Sequence, residues 1–502
     1  MSAGVALMLI LIMLQSSLAE TQQRPNVLIL LADDISASEL GCYGAPNPGT
    51  SPNIDRLAIE GVRFDNMFVT SATCAPVRAE LFTGLFPERN GVFRNHLPTI
   101  SGTRSVAHYL ADLGYRVGLA GKKHYSPASV YPFEYLKGIC SKATQEKPPA
   151  DDWTHVRQFM SRDSKEPFCL FICSIHAHAP WDAGDSSRWN LEGLKLPPSL
   201  ADTEVTRQHY REFLAEVRMF DDQVGKAEQL LKELGLDENT VLIVLDENGT
   251  GMPGGKWSTF DWGVRSGCVM KWPASYKANF ATDAIAQYCD ILPTLIEVAG
   301  GAVPDSLDGK SLLPLIQGKT AEHRKYAYFS HINRHDHLKD PLFSLRAATD
   351  GRYKLIWNLT PGNMYATKNV NGLDYGDVNR GCSPTKIYGS WLEAAKSDAH
   401  VDDLLRRIRY YPRIQLFDLD KDPWELNDLA NKPEHQSKID ELKTVISSWM
   451  KQQGDNGHLE GEGIKYSEMP FAESSRKPPA MRDATKQWRH AKLPMAKISQ
   501  LF

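Results

Sequence analysis

Four short apolar runs, each ending directly in polar residues, constrain the fold of this chain more than any other feature of its sequence. Runs rich in β-branched residues alternate with helical stretches through the first two thirds of the chain, a pattern typical of a layered α/β domain. In an open α/β sheet, ligands bind outside the carboxyl ends of the strands, so polar residues that follow neighbouring strands share one crevice. We therefore expect one site built from the residues that follow the runs 26–32, 115–120, 168–174 and 240–245: Asp33 and Asp34, Lys122 and His124, His176 and His178, and Asp246, Glu247 and Asn248.

The segment from Cys74 to Gly84 reads Cys-Ala-Pro-Val-Arg-Ala-Glu-Leu-Phe-Thr-Gly. Pro76 suits the first turn of a helix, where its missing N–H is no loss, and the residues after it favour a helix. Cys74 is therefore predicted at a helix N-terminus, where free amides and the positive end of the helix dipole favour an anion. Arg78, one turn along, adds a planar cation for the oxygens of such an anion. The alternative is that Cys74 is a buried apolar cysteine.

The pattern Cys74-x-Pro76-x-Arg78, closed by a Thr-Gly pair, resembles the signature of the type I sulfatases, with Val77 at a position that is often serine in that family. The resemblance covers roughly residues 24–452. It implies the alkaline-phosphatase-like sulfatase fold, an α/β fold in which a large mixed sheet lies between helices and a small antiparallel sheet forms a C-terminal domain. It also implies that a maturation enzyme oxidises Cys74 to formylglycine (3-oxoalanine), whose hydrate is the nucleophile.

One divalent cation, with Ca2+ favoured, is the cofactor that the resemblance implies. Its implied ligands are Asp33, Asp34, Cys74, Glu247 and Asn248. Adjacent carboxylates repel each other unless a cation or donors neutralise them, and hard oxygen ligands suit calcium or magnesium. Two alternatives stay open. Asp34 could cap a helix, or Asp246 could replace Glu247 as the ligand, because the family normally has an aspartate where this chain has Glu247.

Cationic and histidine residues complete the site that the resemblance implies. The implied catalytic residues are Cys74, Arg78, Lys122, His124, His178 and Lys256. In this mechanism the arginine and the lysines hold the sulfate oxygens, His178 or Lys256 protonates the leaving group, and His124 acts as the base when sulfate is expelled. The alternatives for individual residues are a structural histidine and a solvated surface lysine.

The implied substrate is a sulfate ester or sulfamate on a sulfated sugar or polysaccharide. Residues 122–133 resemble the corresponding stretch of the N-sulfoglucosamine sulfohydrolases, or sulfamidases, which are the favoured branch. His331, Arg334 and His335 form a dense group that we predict to contact the substrate, with a solvated loop as the alternative. An O-sulfatase for algal or other sulfated polysaccharides is the alternative with the same chemistry. A non-catalytic protein that binds sulfated glycans is the alternative of another class.

The two ends of the chain differ from its body. Residues 1–19 hold an apolar run too short for a membrane span and end in a small-x-small pattern, so we predict a signal peptide and an exported protein. The body is predicted to form a catalytic domain over 24–343 and a small domain over 344–453, where strand-like pieces at 345–349, 353–357 and 414–419 replace the α/β pattern. Residues 454–502 are predicted as an extension whose basic stretch is either solvated or a polyanion contact.

Charge and glycosylation signals limit the partners and the location. A net charge of -4 gives no global basic field, so we expect no nucleic-acid partner, and no later run is apolar enough to span a membrane. Only two glycosylation sequons occur, at Asn248 and Asn358. This favours a bacterial periplasmic or secreted protein over a heavily glycosylated lysosomal one. The pairing of the eight cysteines and the oligomeric state stay open.

Overall fold

The computed structural model describes residues 24–140, 150–273, 279–332, 342–365 and 383–457. Its strands are β1 (Asn26–Leu31), β2 (Val62–Phe68), β3 (Arg116–Gly121), β4 (Glu134–Leu136), β5 (Phe168–Cys173), β6 (Thr240–Leu245), β7 (Arg265–Lys271), β8 (Phe280–Thr282), β9 (Ala286–Gln287), β10 (Ala327–Ile332), β11 (Ser344–Thr349), β12 (Tyr353–Asn358) and β13 (Ile414–Asp418). Its helices are α1 (Pro52–Glu60), α2 (Cys74–Thr83), α3 (Pro87–Asn90), α4 (Val106–Asp112), α5 (Thr154–Ser161), α6 (Glu204–Glu233), α7 (Asp261–Val264), α8 (Ile291–Val298), α9 (Leu313–Ile316), α10 (Ser383–Ala394), α11 (Ala399–Arg409) and α12 (Gln436–Gln453). The predicted signal peptide, and the predicted extension from residue 458 on, lie outside the described residues and stay predictions.

Nine strands form the large mixed sheet, in the order β4-β3-β5-β1-β6-β7-β2-β8, with β9 paired to β2. The strands from β4 to β6 in this order are parallel, whereas β7 is antiparallel to both of its neighbours. The four apolar runs of the sequence form β3, β5, β1 and β6, which are adjacent. Their carboxyl ends therefore meet at one edge of the sheet, as the sequence predicts.

Burial on both faces of the sheet explains the sequence of these four central strands. Every residue of β1, β3, β5 and β6 is buried, so the strands read as continuous apolar runs rather than as alternating patterns. The long amphipathic helix α6 begins after Thr203, whose side chain accepts a hydrogen bond from the Thr206 N–H. The helix packs against α1. Among the described residues, no helix combines the length and the apolar character needed to cross a bilayer.

The remaining strands form a separate antiparallel sheet in the order β10-β11-β12-β13. The sequence predicts β11, β12 and β13 but not β10, which precedes the predicted domain boundary at residue 344. Helix α12 packs on β11 and β12, and the ring of its Trp449 stacks on Tyr328 with centroids 5.1 Å apart. The mixed sheet among helices and the small antiparallel sheet confirm the predicted fold class. The domain boundary itself stays a prediction.

A buried ionic cluster joins the small sheet to the large domain. Lys354, on β12, is completely buried; its Nζ donates to Asp261 Oδ1 at 2.7 Å and lies 3.4 Å from Glu425 Oε1. The Asp261 N–H in turn donates to Glu425 Oε2 at 2.6 Å. Because Asp261 lies five residues after Lys256, the small sheet helps to fix the loop that carries this lysine.

Candidate active site

Cys74 lies at the point where the strand ends meet helix α2. The helix begins at Cys74, as the sequence predicts, and it ends at Thr83; all ten of its residues are buried. The Cys74 Sγ lies 3.5 Å from Asp33 Oδ1 and accepts a hydrogen bond from Lys256 Nζ at 2.9 Å. Burial, aided by Glu247, raises the pKa of the Cys74 thiol well above its usual range. The unmodified thiol therefore stays protonated and is a poor nucleophile.

Four side chains of the site could hold a metal ion. Asp33, Asp34, Cys74 and Glu247 each offer one ligand atom, and these atoms lie within 4.8 Å of one another. Burial by itself would raise the pKa of Asp33, but the surrounding cations, foremost Lys122, hold it well below its usual range. Asp33 is therefore available as a carboxylate, and the Cys74 Sγ occupies the position that a hydroxyl oxygen of hydrated formylglycine would take.

Glu247 faces this cluster, whereas Asp246 does not. The Glu247 Oε1 lies 2.6 Å from a terminal nitrogen of Arg78, and neither side chain has exposed surface. Asp246 instead accepts a hydrogen bond from the Gly267 N–H at 2.9 Å through Oδ2. Burial raises the pKa of both carboxyls, and for Glu247 the Arg78 guanidinium opposes that effect. The geometry thus directs Glu247, and not Asp246, towards the cluster.

Asn248 and its neighbour Gly249 complete this corner of the site. The Asn248 Nδ2 donates to Asp34 Oδ1 at 2.8 Å. Two buried oxygens of the corner, Asn248 Oδ1 and Glu247 Oε2, find no hydrogen-bond partner among the described residues. A Cβ at Gly249 would lie 1.8 Å from the Trp262 carbonyl oxygen, so only glycine fits there. Unpartnered buried oxygens beside two carboxylates fit a hard divalent cation such as Ca2+ or Mg2+.

Three buried cations balance the three carboxylates. Lys122 Nζ donates to Asp33 Oδ2 at 2.5 Å, and Lys256 Nζ donates to the two Asp34 oxygens at 2.6 and 2.8 Å. Arg78 Nη1 donates to the Lys122 carbonyl oxygen at 3.1 Å. Although burial would lower the pKa of both lysines, Asp33 raises that of Lys122 and Asp34 that of Lys256, so both stay charged. Adding a divalent cation would leave the centre positive, which suits an anionic ester.

The two predicted active-site histidines occupy different environments. His178 is partly exposed, its Nε2 lies 4.0 Å from Asp34 Oδ2, and burial with nearby Lys122 lowers its pKa. His124 is held neutral, because burial and the adjacent Lys122 lower its pKa to about 2. His176, the other histidine of the segment, is buried beside Asp151 rather than in the cluster.

Glu216, on α6, holds the loop that carries His178, a role that the sequence analysis did not predict. Its Oε2 accepts the Ala177 N–H at 2.9 Å, and its Oε1 accepts the N–H groups of Asp182 and Ala183 at 2.9 and 3.1 Å. Three backbone donors on one carboxylate fix the loop against the helix.

Backbone conformations with positive φ are concentrated in the loops around Cys74. Eight described residues other than glycine have positive φ, and six of them lie in the loops around Cys74: Asp34, His96, His124, Ala177, Glu247 and Trp257. Such conformations are costly and persist where the surrounding structure enforces them, typically at functional sites. The sequence analysis singled out Asp34, His124 and Glu247 but not His96, Ala177 or Trp257.

The predicted substrate-contact residues are only partly within the described chain. His331 lies on β10, is 1% exposed, and packs its ring 5.9 Å from that of Tyr365. Arg334 and His335 lie outside the described residues. Their role in binding stays a prediction.

Comparison with known proteins identifies relatives of the whole body of the chain. A family model for sulfatases matches residues 25–302, and a second, for the C-terminal part of N-sulphoglucosamine sulphohydrolase, matches residues 256–370. An ulvan-active sulfatase of Formosa agariphila is 32% identical, over 88% of this chain and 83% of the relative. Human N-sulphoglucosamine sulphohydrolase is 24% identical, over 84% and 89%. A solved protein in complex with its substrate D-glucosamine-2-N,6-O-disulfate is 20% identical and has a TM-score of 0.63, over 88% of this chain and 100% of that one.

Proposed function

Because the chain belongs to the sulfatase family, we propose that it hydrolyses a sulfate monoester or sulfamate on a sulfated saccharide, using formylglycine at position 74 and one divalent cation. One observation carries the proposal. Cys74 begins a buried helix with its Sγ 2.9 Å from Lys256 Nζ, and its ligand atom lies within 4.8 Å of those of three buried carboxylates. The N-terminus of the helix, the Lys256 ammonium group and the three carboxylates therefore all lie next to the Cys74 side chain.

The residues that would hold the cation are Asp33, Asp34, Glu247 and Asn248, together with a hydroxyl of residue 74. When bound, the ion would neutralise the carboxylates and polarise the oxygen atoms around it. The oxygen-rich donor set fits Ca2+, which is the ion we propose.

The protein side chains divide the remaining work. Arg78, Lys122 and Lys256 bind the sulfate oxygens and stabilise the charge that redistributes over them in the transition state. His178 or Lys256 gives a proton to the leaving oxygen or nitrogen of the sugar. The hydrate of formylglycine supplies one hydroxyl that attacks sulfur and a second whose deprotonation expels sulfate and restores the aldehyde.

The best-supported substrate is an N-sulfated glucosamine. The match of residues 256–370 to the C-terminal model of N-sulphoglucosamine sulphohydrolase supports this choice, as does the resemblance of residues 122–133 to sulfamidases. The alternative, an O-sulfatase of polysaccharides such as those of algae, is favoured by the ulvan-active relative. His331, Arg334 and His335 are proposed to contact the sugar in either case.

Release of free sulfate from a panel of defined saccharides tests the proposal. Glucosamine N-sulfate, glucosamine 6-O-sulfate and ulvan oligosaccharides should be compared, with the Cys74→Ala variant as the matched control. Turnover confined to N-sulfate supports the sulfamidase assignment, and turnover confined to O-sulfates replaces it by the alternative. Saturable binding without sulfate release from any of them would contradict hydrolysis and favour a glycan-binding protein.

We further propose that the protein is exported, to a bacterial periplasm or the medium, and matured by a formylglycine-generating enzyme. The amides of both sequons are buried and engaged: Asn248 Nδ2 donates to Asp34, and Asn358 Nδ2 donates to the Tyr411 carbonyl at 2.8 Å. Neither can carry a glycan in the folded protein. This supports a bacterial exported protein over a glycosylated lysosomal one.

A further inference from the structure

One carboxylate fixes both ends of the turn formed by residues 177–183, which carries a candidate catalytic histidine. Glu216, buried on α6, accepts the Ala177 N–H through Oε2 at 2.9 Å. Through Oε1 it accepts the N–H groups of Asp182 and Ala183 at 2.9 and 3.1 Å. Because both ends of the turn bond to one side chain of a packed helix, the residues between them are held in place relative to α6.

The same turn is also closed from within. Trp181 Nε1 donates to the Ala177 carbonyl oxygen at 2.8 Å. Ala177 has a φ of 72°, a conformation that an alanine adopts only where the surrounding structure enforces it. The hydrogen bond from the Ala177 N–H to Glu216 therefore holds a residue that would otherwise favour another conformation.

The turn presents His178 in one orientation. His178 Nδ1 lies 2.7 Å from the Ala179 carbonyl oxygen, and because a carbonyl oxygen only accepts, Nδ1 carries a proton. Nε2 is the nitrogen left for chemistry, and it lies 4.0 Å from Asp34 Oδ2. Trp181 lies on the same side, since a Cβ built at Gly251 would be 3.8 Å from Trp181 Cζ2 and 3.7 Å from Asp34 Oδ2. The turn thus directs His178 Nε2 to the edge of the candidate metal site.

Lys256, the other group proposed to protonate the leaving atom, already uses its donors. An ammonium group carries three N–H donors. Lys256 Nζ lies 2.6 and 2.8 Å from the two Asp34 oxygens and 2.9 Å from Cys74 Sγ. His178 Nε2 makes no contact this short with Asp34. His178 is therefore the better placed of the two to face the leaving atom.

We propose that Glu216 is a positioning residue, which holds His178 Nε2 beside the atom that leaves sulfur by binding the backbone N–H groups of the turn. This rests on the proposed sulfatase function and keeps the roles given there to the other residues. In the step that it serves, the S–O or S–N bond breaks and its electron pair stays on the leaving atom, which takes the proton from His178 Nε2. The proton of the hydroxyl that attacks sulfur passes to one of the carboxylates around residue 74.

Dependence on the leaving group separates the positioning of an acid from a general loss of structure. On the saccharide that releases sulfate, Glu216→Ala should lower kcat by about 100-fold, because a displacement of about 1 Å costs that much. KM should change little, since the cations that hold the sulfate oxygens are untouched. On p-nitrophenyl sulfate, whose phenolate leaves without a proton, the loss should be small. Equal losses of kcat on the two substrates, or a loss confined to KM, would overturn the proposal.

Glu216→Gln should give an intermediate loss of kcat on the saccharide. Its amide keeps one oxygen for the N–H groups of Asp182 and Ala183, but its nitrogen cannot accept from the Ala177 N–H. A loss as large as that of Glu216→Ala would contradict a role that depends on the number of backbone hydrogen bonds.

Asp221→Ala is the matched control. Asp221 lies on the same helix, is also buried, and also accepts backbone N–H groups, those of Asn53 at 2.9 Å and Ile54 at 2.8 Å. These two residues belong to the first turn of α1 and not to the turn that carries the histidine. Asp221→Ala should lower the midpoint of urea unfolding, as Glu216→Ala does, but leave kcat on both substrates unchanged. A selective loss on the saccharide in this control as well would refute a specific role for Glu216.

Ring resonances of His178 test the orientation without turnover. In full-length, metal-loaded protein labelled with 13C and 15N histidine, they are assigned by their loss in His178→Gln. We expect a proton on Nδ1 in the unsubstituted protein and in Asp221→Ala, and exchange between tautomers in Glu216→Ala. A ring without a proton on Nδ1, or an unchanged single form in Glu216→Ala, would contradict the proposal. Absence of sulfate release by the unsubstituted protein would instead refute the sulfatase function itself.

Discussion

Glu247→Gln and Asp246→Asn should differ sharply in stability, metal content and turnover. The two residues are nevertheless adjacent, and each substitution replaces one carboxylate oxygen by an amide nitrogen. Glu247 lies 2.6 Å from the Arg78 guanidinium, and neither side chain has exposed surface. Asp246 faces the opposite way and accepts only from the Gly267 N–H. Glu247→Gln therefore removes a carboxylate that faces a cation, whereas Asp246→Asn replaces a carboxyl group that faces a backbone N–H.

The structure sets the size of the difference. Removing one partner of a buried ion pair costs about 3–5 kcal/mol, because Arg78 is left buried and charged. Asp246 has no cation beside it, so its replacement leaves no buried charge without a partner. Asparagine can still accept from the Gly267 N–H through its side-chain oxygen. Asp246→Asn should therefore change the free energy of unfolding by less than about 1 kcal/mol.

Urea unfolding at pH 6, together with metal analysis after dialysis, measures both effects. We expect Glu247→Gln to lose most of its bound divalent cation and its turnover, while Asp246→Asn keeps both. Glu247→Asp should retain part of the activity, because it keeps the charge on an arm one methylene shorter. Greater loss of metal and stability in Asp246→Asn than in Glu247→Gln would refute the orientation that the structure gives these residues.

Three further predictions address the nucleophile, the cation and a distant carboxyl. Peptide mass analysis of active protein made with a maturation enzyme should find formylglycine at position 74, and active protein carrying only the thiol would contradict this. Asp33→Ala should lower metal content and turnover together, whereas full turnover after verified metal removal would argue against a catalytic ion. Burial raises the pKa of Glu39 from 4.5 to about 7, so its contribution to stability is complete below about pH 4.5 and is lost as pH rises through 7. Glu39→Gln should thus flatten the fall in the free energy of unfolding between pH 5 and pH 8, and an unchanged slope would disprove the assignment.

The large sheet and the convergence of its strand ends could be predicted because both leave local marks in the sequence. A strand buried on both faces appears in the sequence as a continuous apolar run. Asp33, Lys122 and Glu247 each lie within two residues of the end of such a run. The helix start at Cys74 was likewise predictable, since Pro76 and the helix formers after it are local signals. The order of the strands in the sheet was not predicted, because it is set by pairing between segments that are distant in the sequence.

The supporting residues could not be predicted, because their roles depend on contacts between distant parts of the chain. Glu216 sits in a long amphipathic helix, where nothing in the local pattern distinguishes a carboxylate that binds three backbone N–H groups from one in solvent. His96 follows no apolar run, and only the fold brings its Nδ1 to 3.1 Å from His124 Nε2. Strand β10 was missed because its register with β11 is set by pairing.

The depth of Cys74 in the folded protein sets a time limit on the oxidation that we propose for it. Its side chain is 1% exposed, so no enzyme can reach it once α2 is packed. Residues near the end of the described chain are needed to complete the fold. Asp455 accepts a hydrogen bond from Arg346 Nη2 at 2.7 Å, and both side chains of this pair are fully buried. About 380 residues separate Cys74 from Asp455, and a ribosome adding roughly 5–20 residues per second needs about 20 to 75 s to make them. The ratio of oxidised to unmodified protein should therefore depend on how fast the maturation enzyme works relative to synthesis, and slower translation should yield a more active product.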